Sequence, residues 1–185
     1  TGLNLVKVRS ESMANAGNEK KGSMGAIVGL DDSAVESLCK SYDGDGIAVP
    51  ANFNSPGQVV ISGTIDAVKW VMQSAKDSGA RMAVELNVSG AFHSPLMSPA
   101  RENLAEMINS LEISDSIYPV FTNVDAKPVT KNIDIKNSLI LQLEKPVLWK
   151  KSILEMMKKG IHHYIEVGPG KVLQGLNKRI DRTIK

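Results

Sequence analysis

Three residues in this sequence stand where chemistry can be done: His93, Arg9 and Gln142. His93 lies within Val88-Ser89-Gly90-Ala91-Phe92-His93-Ser94-Pro95-Leu96-Met97, between a glycine-containing turn and a proline. An imidazole on so stiff a connection titrates near neutrality and suits general acid/base work, while a packed or capping histidine is the structural alternative. Arg9 sits four residues after Leu5 and four before Met13, so the three share one face of a helix. A guanidinium amid apolar neighbours needs an anion or a route to water. It is either a bidentate clamp on a substrate carboxylate, or a structural ion pair or snorkelling side chain. Gln142 falls near the end of Ile135 to Leu143, a short apolar-rich helix expected to be buried, with Pro146 discouraging continuation past Lys145. The last carbonyls of a helix have no intrahelical partner. A main-chain oxygen around Gln142 is therefore free to accept an imidazole N–H and fix its tautomer, or simply to meet water.

The elements that must position these residues follow from pattern and punctuation. Leu3 to Ala16 reads as the helix carrying Arg9, and 14–21 as a loop. From Gly22 the pattern alternates. Ser23 to Leu30 is a strand, and Asp31-Asp32-Ser33 caps a helix from Ser33 to Tyr42. Ile47 to Asn52 is a strand edged by Pro50, followed by the turn Ser55-Pro56-Gly57-Gln58. Gln58 to Gly63, a helix from Ile65 to Gly79, and a strand from Arg81 to Val88 complete the unit. That order, βαββαβ, is the ferredoxin-like split arrangement. RNA-binding modules share it but stack bases on central-strand aromatics, and Val59-Val60-Ile61-Ser62 has none.

Beyond His93, Ser98 to Leu111 reads as an amphipathic helix and Tyr118 to Val124 as a strand. Val147 to Lys159 is a helix, His162 to Val167 a strand, and Lys171 to Ile180 a closing helix. Gly168-Pro169-Gly170-Lys171 lacks the spacing of a phosphate loop and reads as a tight strand-to-helix turn. His162 and His163 are adjacent in the expected strand, so they point to opposite faces, and no metal site is expected.

Composition narrows the function classes. The 185 residues carry a net charge of +2, too small to argue for nucleic acid or an anionic membrane. Hydrophobic residues at 42% and charged residues at 23% fit a globular protein. The single cysteine, Cys39, excludes an internal disulfide framework and fits a reducing compartment. There is no run long enough to span a bilayer, and the N-terminus does not read as a secretory signal, so a cytoplasmic location is expected.

Several stretches taken together resemble the malonyl-CoA:acyl-carrier-protein transacylases, of the acyltransferase family of fatty-acid and polyketide synthesis. They are Gly22-Ser23-Met24-Gly25-Ala26 with Gly29-Leu30-Asp31-Asp32, Pro50 to Gly63, Val88 to Met97, Asn123-Val124-Asp125-Ala126, Gln142-Leu143 with Pro146-Val147 and Trp149, and Glu166 to Leu173. They run in family order over nearly the whole chain. The resemblance implies an α/β fold: an α/β-hydrolase-like body, partial here (1–21 and 89–185), with an inserted ferredoxin-like subdomain (22–88). It implies ping-pong acyl transfer, in which a serine takes malonyl from coenzyme A and the phosphopantetheine thiol of acyl carrier protein takes it from the serine. His93 then corresponds to the general base, Arg9 in Val8-Arg9-Ser10-Glu11-Ser12-Met13 to the holder of the malonyl carboxylate, and Gln142 to the residue whose carbonyl orients the histidine. Phe92 resembles the bulky acyl-pocket wall of members that take malonyl over branched units. Malonyl-CoA enters as substrate, acyl carrier protein as partner, and no cofactor is implied.

One part of the pattern is missing. The family's nucleophile lies on a Gly-His-Ser-Leu-Gly elbow upstream of the arginine helix, and no Gly-x-Ser-x-Gly occurs in this sequence. The oxyanion-hole amides that go with the elbow are missing too. The expectation is a serine on residues outside this chain and a fragment inactive and marginally stable alone. The alternative is a non-catalytic split or degenerate paralogue that binds acyl carrier protein or scaffolds a synthase complex.

Overall fold

The computed structural model describes residues 2–184. The chain opens with a single long helix, α1 (Gly2–Glu19), which runs straight through the stretch expected as a loop. It continues past Gly17 because that glycine is a packing contact and not a break. A Cβ there would lie 2.5 Å from the main-chain oxygen of Ser89.

Next comes a four-stranded antiparallel sheet with two helices: β1 (Ser23–Val28), α2 (Asp32–Ser41), β2 (Ala48–Ser55), β3 (Gln58–Gly63), α3 (Ile65–Asp77) and β4 (Met82–Glu85). The spatial order is β2-β3-β1-β4, with β1 central between β3 and β4. Asp31 caps α2, its carboxylate accepting from the Ala34 amide at 2.7 Å. Pro50 is tolerated because β2 lies at the sheet edge, where the register slips between Pro50 and Asn52. Gly57 turns β2 into β3 at φ +68°, a conformation that favours glycine. One apolar core joins Ile27, Val59 and Ile61 to Val35 of α2 and Val68 and Val71 of α3. A smaller cluster of Met24, Ala26, Ala51 and Val60 packs against Phe92.

The remaining elements are α4 (Ser98–Ser110), β5 (Val120–Phe121), β6 (Pro128–Val129), α5 (Asn132–Leu141), α6 (Trp149–Lys158) and α7 (Val172–Ile180). A third core unites Ala16 of α1, Met97, Leu104 and Ile108 of the α4 region, and Leu143 after α5. This half is joined to the free edge of β2 by main-chain bonds on either side of Asn52: Val147 N–H to Ala51 O at 2.8 Å and Phe53 N–H to Val147 O at 2.9 Å. Lys150 of α6 also pairs with Asp32 of α2.

Three expectations for this half differ from the structure. The strand at 118–124 shrinks to Val120–Phe121, paired only with Pro128–Val129. The expected strand from His162 to Val167 does not form: an extended run needs a neighbouring ladder, and none of the described residues supplies one. Its Ile165 and Val167 are 90% and 93% exposed. The helix around Gln142 is only half-buried, with Ser138 its one fully buried residue, because α4 covers one face alone.

Candidate functional site

The path into His93 starts at the sheet. After β4 the chain crosses α1 where Gly17 meets Ser89 and Gly90, then turns at Ala91. Ser94, fully buried, closes the turn: its hydroxyl donates to Ala91 O at 2.7 Å and accepts from the Leu96 amide at 3.3 Å. Pro95–Met97 form one 3-10 turn leading into α4. His93 itself has φ +58°. A left-handed conformation in a residue with a Cβ costs about 1 kcal/mol or more and needs support from its surroundings.

That support comes from the end of α5. The His93 amide donates to Leu143 O at 3.0 Å. Its ring Nδ1 lies 2.9 Å from the main-chain oxygen of Gln142. A carbonyl oxygen can only accept, so Nδ1 carries the proton and Nε2 keeps its lone pair. The Gln142 and Leu143 oxygens are available because the turn after α5 folds back on one acceptor: the amides of Glu144 and Lys145 both donate to Leu141 O, at 3.2 and 3.0 Å.

Burial pushes the His93 pKa below its ordinary value. The Gln142 hydrogen bond opposes that shift, the positive charge of Arg9 adds to it, and backbone bonding at Lys145 opposes it again. Burial thus disfavours the charged imidazolium, and Gln142 occupies Nδ1 and leaves Nε2 free of that bond. Arg9 is half-buried on α1, and desolvation lowers its own pKa. Among the described residues no carboxylate pairs with it, whereas Lys7 on the same helix pairs with Glu11. The Arg9 charge acts on the His93 ring, and among the described residues the guanidinium has no counter-charge.

Phe92 packs against both the Met24-Ala26-Ala51-Val60 cluster and the Ala16-Met97-Leu143 core, wedged where sheet and helices meet. Two contributors escaped the sequence reading. The left-handed backbone of His93 is imposed by nonlocal bonds and has no local signature. Gly17 did leave a signal, a glycine inside a helical pattern, but that pattern reads equally well as a break.

The Gly-Pro-Gly turn has its own occupant. The Glu166 carboxylate accepts from the amides of Leu173 and Gln174, both at 3.1 Å, and so fills the N-terminus of α7 where an anion would bind. A cavity of about 470 Å³ lies alongside, lined by Tyr164, Glu166 and Asn177, but neither His93 nor Arg9 borders it.

Residues 2–183 match the acyl transferase domain family. The chain is 43% identical over 181 residues to the malonyl CoA-acyl carrier protein transacylase of Bacillus subtilis, covering 97% of this chain and 57% of that protein. The solved malonyl CoA-acyl carrier protein transacylase of Coxiella burnetii superposes with a TM-score of 0.94 at 39% identity, over 98% of this chain and 58% of that one. A malonyl-transacylase solved in complex with its type II polyketide-synthase acyl-carrier protein superposes at 0.92 with 38% identity, over 97% and 58%. The chain thus spans somewhat under three-fifths of the length of these relatives. By a match that runs through both Arg9 and His93, it belongs to the acyl transferase domain family.

Proposed function

We propose that this chain supplies the base and the carboxylate clamp of a malonyl-CoA:acyl-carrier-protein transacylase, with the nucleophilic serine on residues outside it. The observation that carries this reading is the His93 ring donating through Nδ1 to Gln142 O at 2.9 Å, within the field of an Arg9 that has no counter-charge among the described residues. The names of the relatives supply the substrate and the carrier partner.

In this mechanism the serine Oγ attacks the thioester carbonyl of malonyl-CoA. Its proton passes to His93 Nε2, the Oγ–C bond forms, and the C–S bond breaks. The imidazolium returns the proton to the departing coenzyme A sulfur. In the second half the phosphopantetheine thiol of the carrier protein gives its proton to Nε2 and attacks the malonyl ester. The C–Oγ bond breaks and the serine is reprotonated. Arg9 holds the malonyl carboxylate by charge-assisted hydrogen bonds, and Phe92 closes the acyl site against branched units. Gln142 keeps one tautomer throughout, the part an aspartate plays in serine proteases.

The strand order β2-β3-β1-β4 supports a ferredoxin-like subdomain over 22–88, inserted between the 1–21 and 89–185 parts of a hydrolase-like body. Exposed Ile165 and Val167 support a further strand supplied from outside the chain.

The sequence favours one competing reading, since it contains no Gly-x-Ser-x-Gly: a non-catalytic paralogue that binds acyl carrier protein or scaffolds a synthase. Intact-mass spectrometry after exposure to malonyl-CoA decides between them. The chain should form no malonyl adduct alone, and an adduct should appear on the elbow serine once the missing segment is restored. No adduct in either case, with salt-dependent carrier-protein binding retained, would favour the scaffold.

A further inference from the structure

We propose that Arg101 and Glu144 form a positioning pair that keeps the His93 imidazole on the Gln142 carbonyl, an inference that rests on reading His93 as the base. Arg101 lies in the first turn of α4, and its Nε is 3.1 Å from Oε2 of Glu144 in the turn after α5. The Glu144 side chain is only 17% exposed. Arg101 Nε is buried and makes no aligned hydrogen bond, so the Glu144 carboxylate is its compensating charge.

The placement matters because the pair spans the same two short segments as the bonds of the site. Residues 93–101 are tied to residues 142–144 by His93 N–H to Leu143 O, by His93 Nδ1–H to Gln142 O, and by Arg101 to Glu144. The first two bonds hold a residue at φ +58°. Relaxation of His93 to negative φ would relieve strain and swing the ring off Gln142. Leu143 packs with Met97 and Ala100 and fixes the distance between the segments, but an apolar contact has no directional preference along them. The ion pair adds that direction. Arg101 and Glu144 touch no reacting atom in this scheme and act only through His93.

The test uses the full chain with Arg101→Met, Glu144→Gln, and the exchanged pair Arg101→Glu with Glu144→Arg. Two signals are read by NMR: the nitrogen shifts of the His93 ring, which report the tautomer, and amide exchange at His93 against Phe53, an edge-strand residue whose N–H is bonded to Val147 O at 2.9 Å. Either single substitution should move the ring toward mixed tautomers and speed His93 amide exchange up to about fivefold, leaving Phe53 unchanged. The exchanged pair should restore the single tautomer. Unchanged ring shifts, or equal acceleration at His93 and Phe53, would overturn the proposal, the latter marking a general loss of stability. If the reading of His93 as base is what fails, the chain joined to the serine-bearing segment would keep malonyl transfer with His93→Ala, while the ring of the native chain still responds to Arg101→Met.

Discussion

His93 donates its Nδ1 proton to the main-chain oxygen of Gln142 across 2.9 Å, so a backbone atom and not a carboxylate sets the tautomer. No substitution at position 142 deletes a carbonyl. Gln142→Ala should therefore leave the ring tautomer and the acid limb of activity in place, unless it perturbs the end of α5. A full loss of activity with an intact fold would point to a role for the amide side chain.

Burial lowers the His93 pKa from its ordinary value, and Arg9 lowers it further against the Gln142 bond. The folded state then binds its proton less readily than the unfolded chain. The associated stability is present above the unfolded value and is lost as pH falls through the lower folded one. Denaturant titrations from neutral pH downward should show a steeper loss for the native chain than for His93→Gln. In the complete enzyme, the acid limb of kcat/KM should lie below about 6.5, the ordinary histidine value.

Arg9 has no counter-charge among the described residues, and in the proposed site the malonyl carboxylate becomes that counter-charge. Arg9→Ala should cut malonyl transfer about 10- to 100-fold and leave transfer of an uncharged acetyl group nearly unchanged, as removal of one charge-assisted contact would. Parallel rate measurements with malonyl-CoA and acetyl-CoA check this. An equal loss for both would make Arg9 structural.

Gly17 brings α1 against the crossing that leads to His93, and a Cβ there would meet Ser89 O at 2.5 Å. Alanine gains about 1 kcal/mol of helix propensity over glycine, but forced overpacking costs roughly 1–3 kcal/mol. Backbone cannot step aside as a flexible side chain can, so the second effect should win. Gly17→Ala is expected to melt about 2–4 °C lower than the native chain. A higher melting temperature would show that α1 can shift freely.

Glu166 closes the N-terminus of α7 with two amide bonds at 3.1 Å. Glu166→Ala should destabilise by about 1 kcal/mol, a typical loss for a helix cap, measured by chemical denaturation. Glu166→Gln should recover only part of it, because one amide oxygen replaces two accepting carboxylate oxygens and the NH2 group cannot accept from the second amide.

The legible parts of this protein were those governed by local pattern. The apolar runs, the Asp31 cap and the Pro56-Gly57 turn gave the four strands and two helices in their order, with Gln58–Gly63 matched at both ends, while the strand expected over Arg81 to Val88 shortens to Met82–Glu85 and that over Ile47 to Asn52 extends to Ser55. Tyr118 to Val124 and His162 to Val167 also read as strands, yet a strand is defined by its neighbour, and most of those residues have none among the described part of the chain. Helix α1 outran its expected end because Gly17 answers to a backbone brought to it by tertiary packing. At the site, the types and spacing of Arg9, His93 and Gln142 were readable. The φ of His93 and the ion pair between Arg101 and Glu144 were not, since both arise where two segments distant in sequence meet.

The central claim is that His93 serves as the base for a serine supplied from outside the chain. Malonyl transfer from malonyl-CoA to acyl carrier protein tests it most directly. The assay compares the chain alone, the chain joined to the segment bearing the elbow serine, and that joined form with His93→Ala. Transfer is expected only in the joined native form, with His93→Ala lowering it by about 10⁴-fold or more while the fold is retained. Transfer by the joined His93→Ala form at the native rate would contradict it.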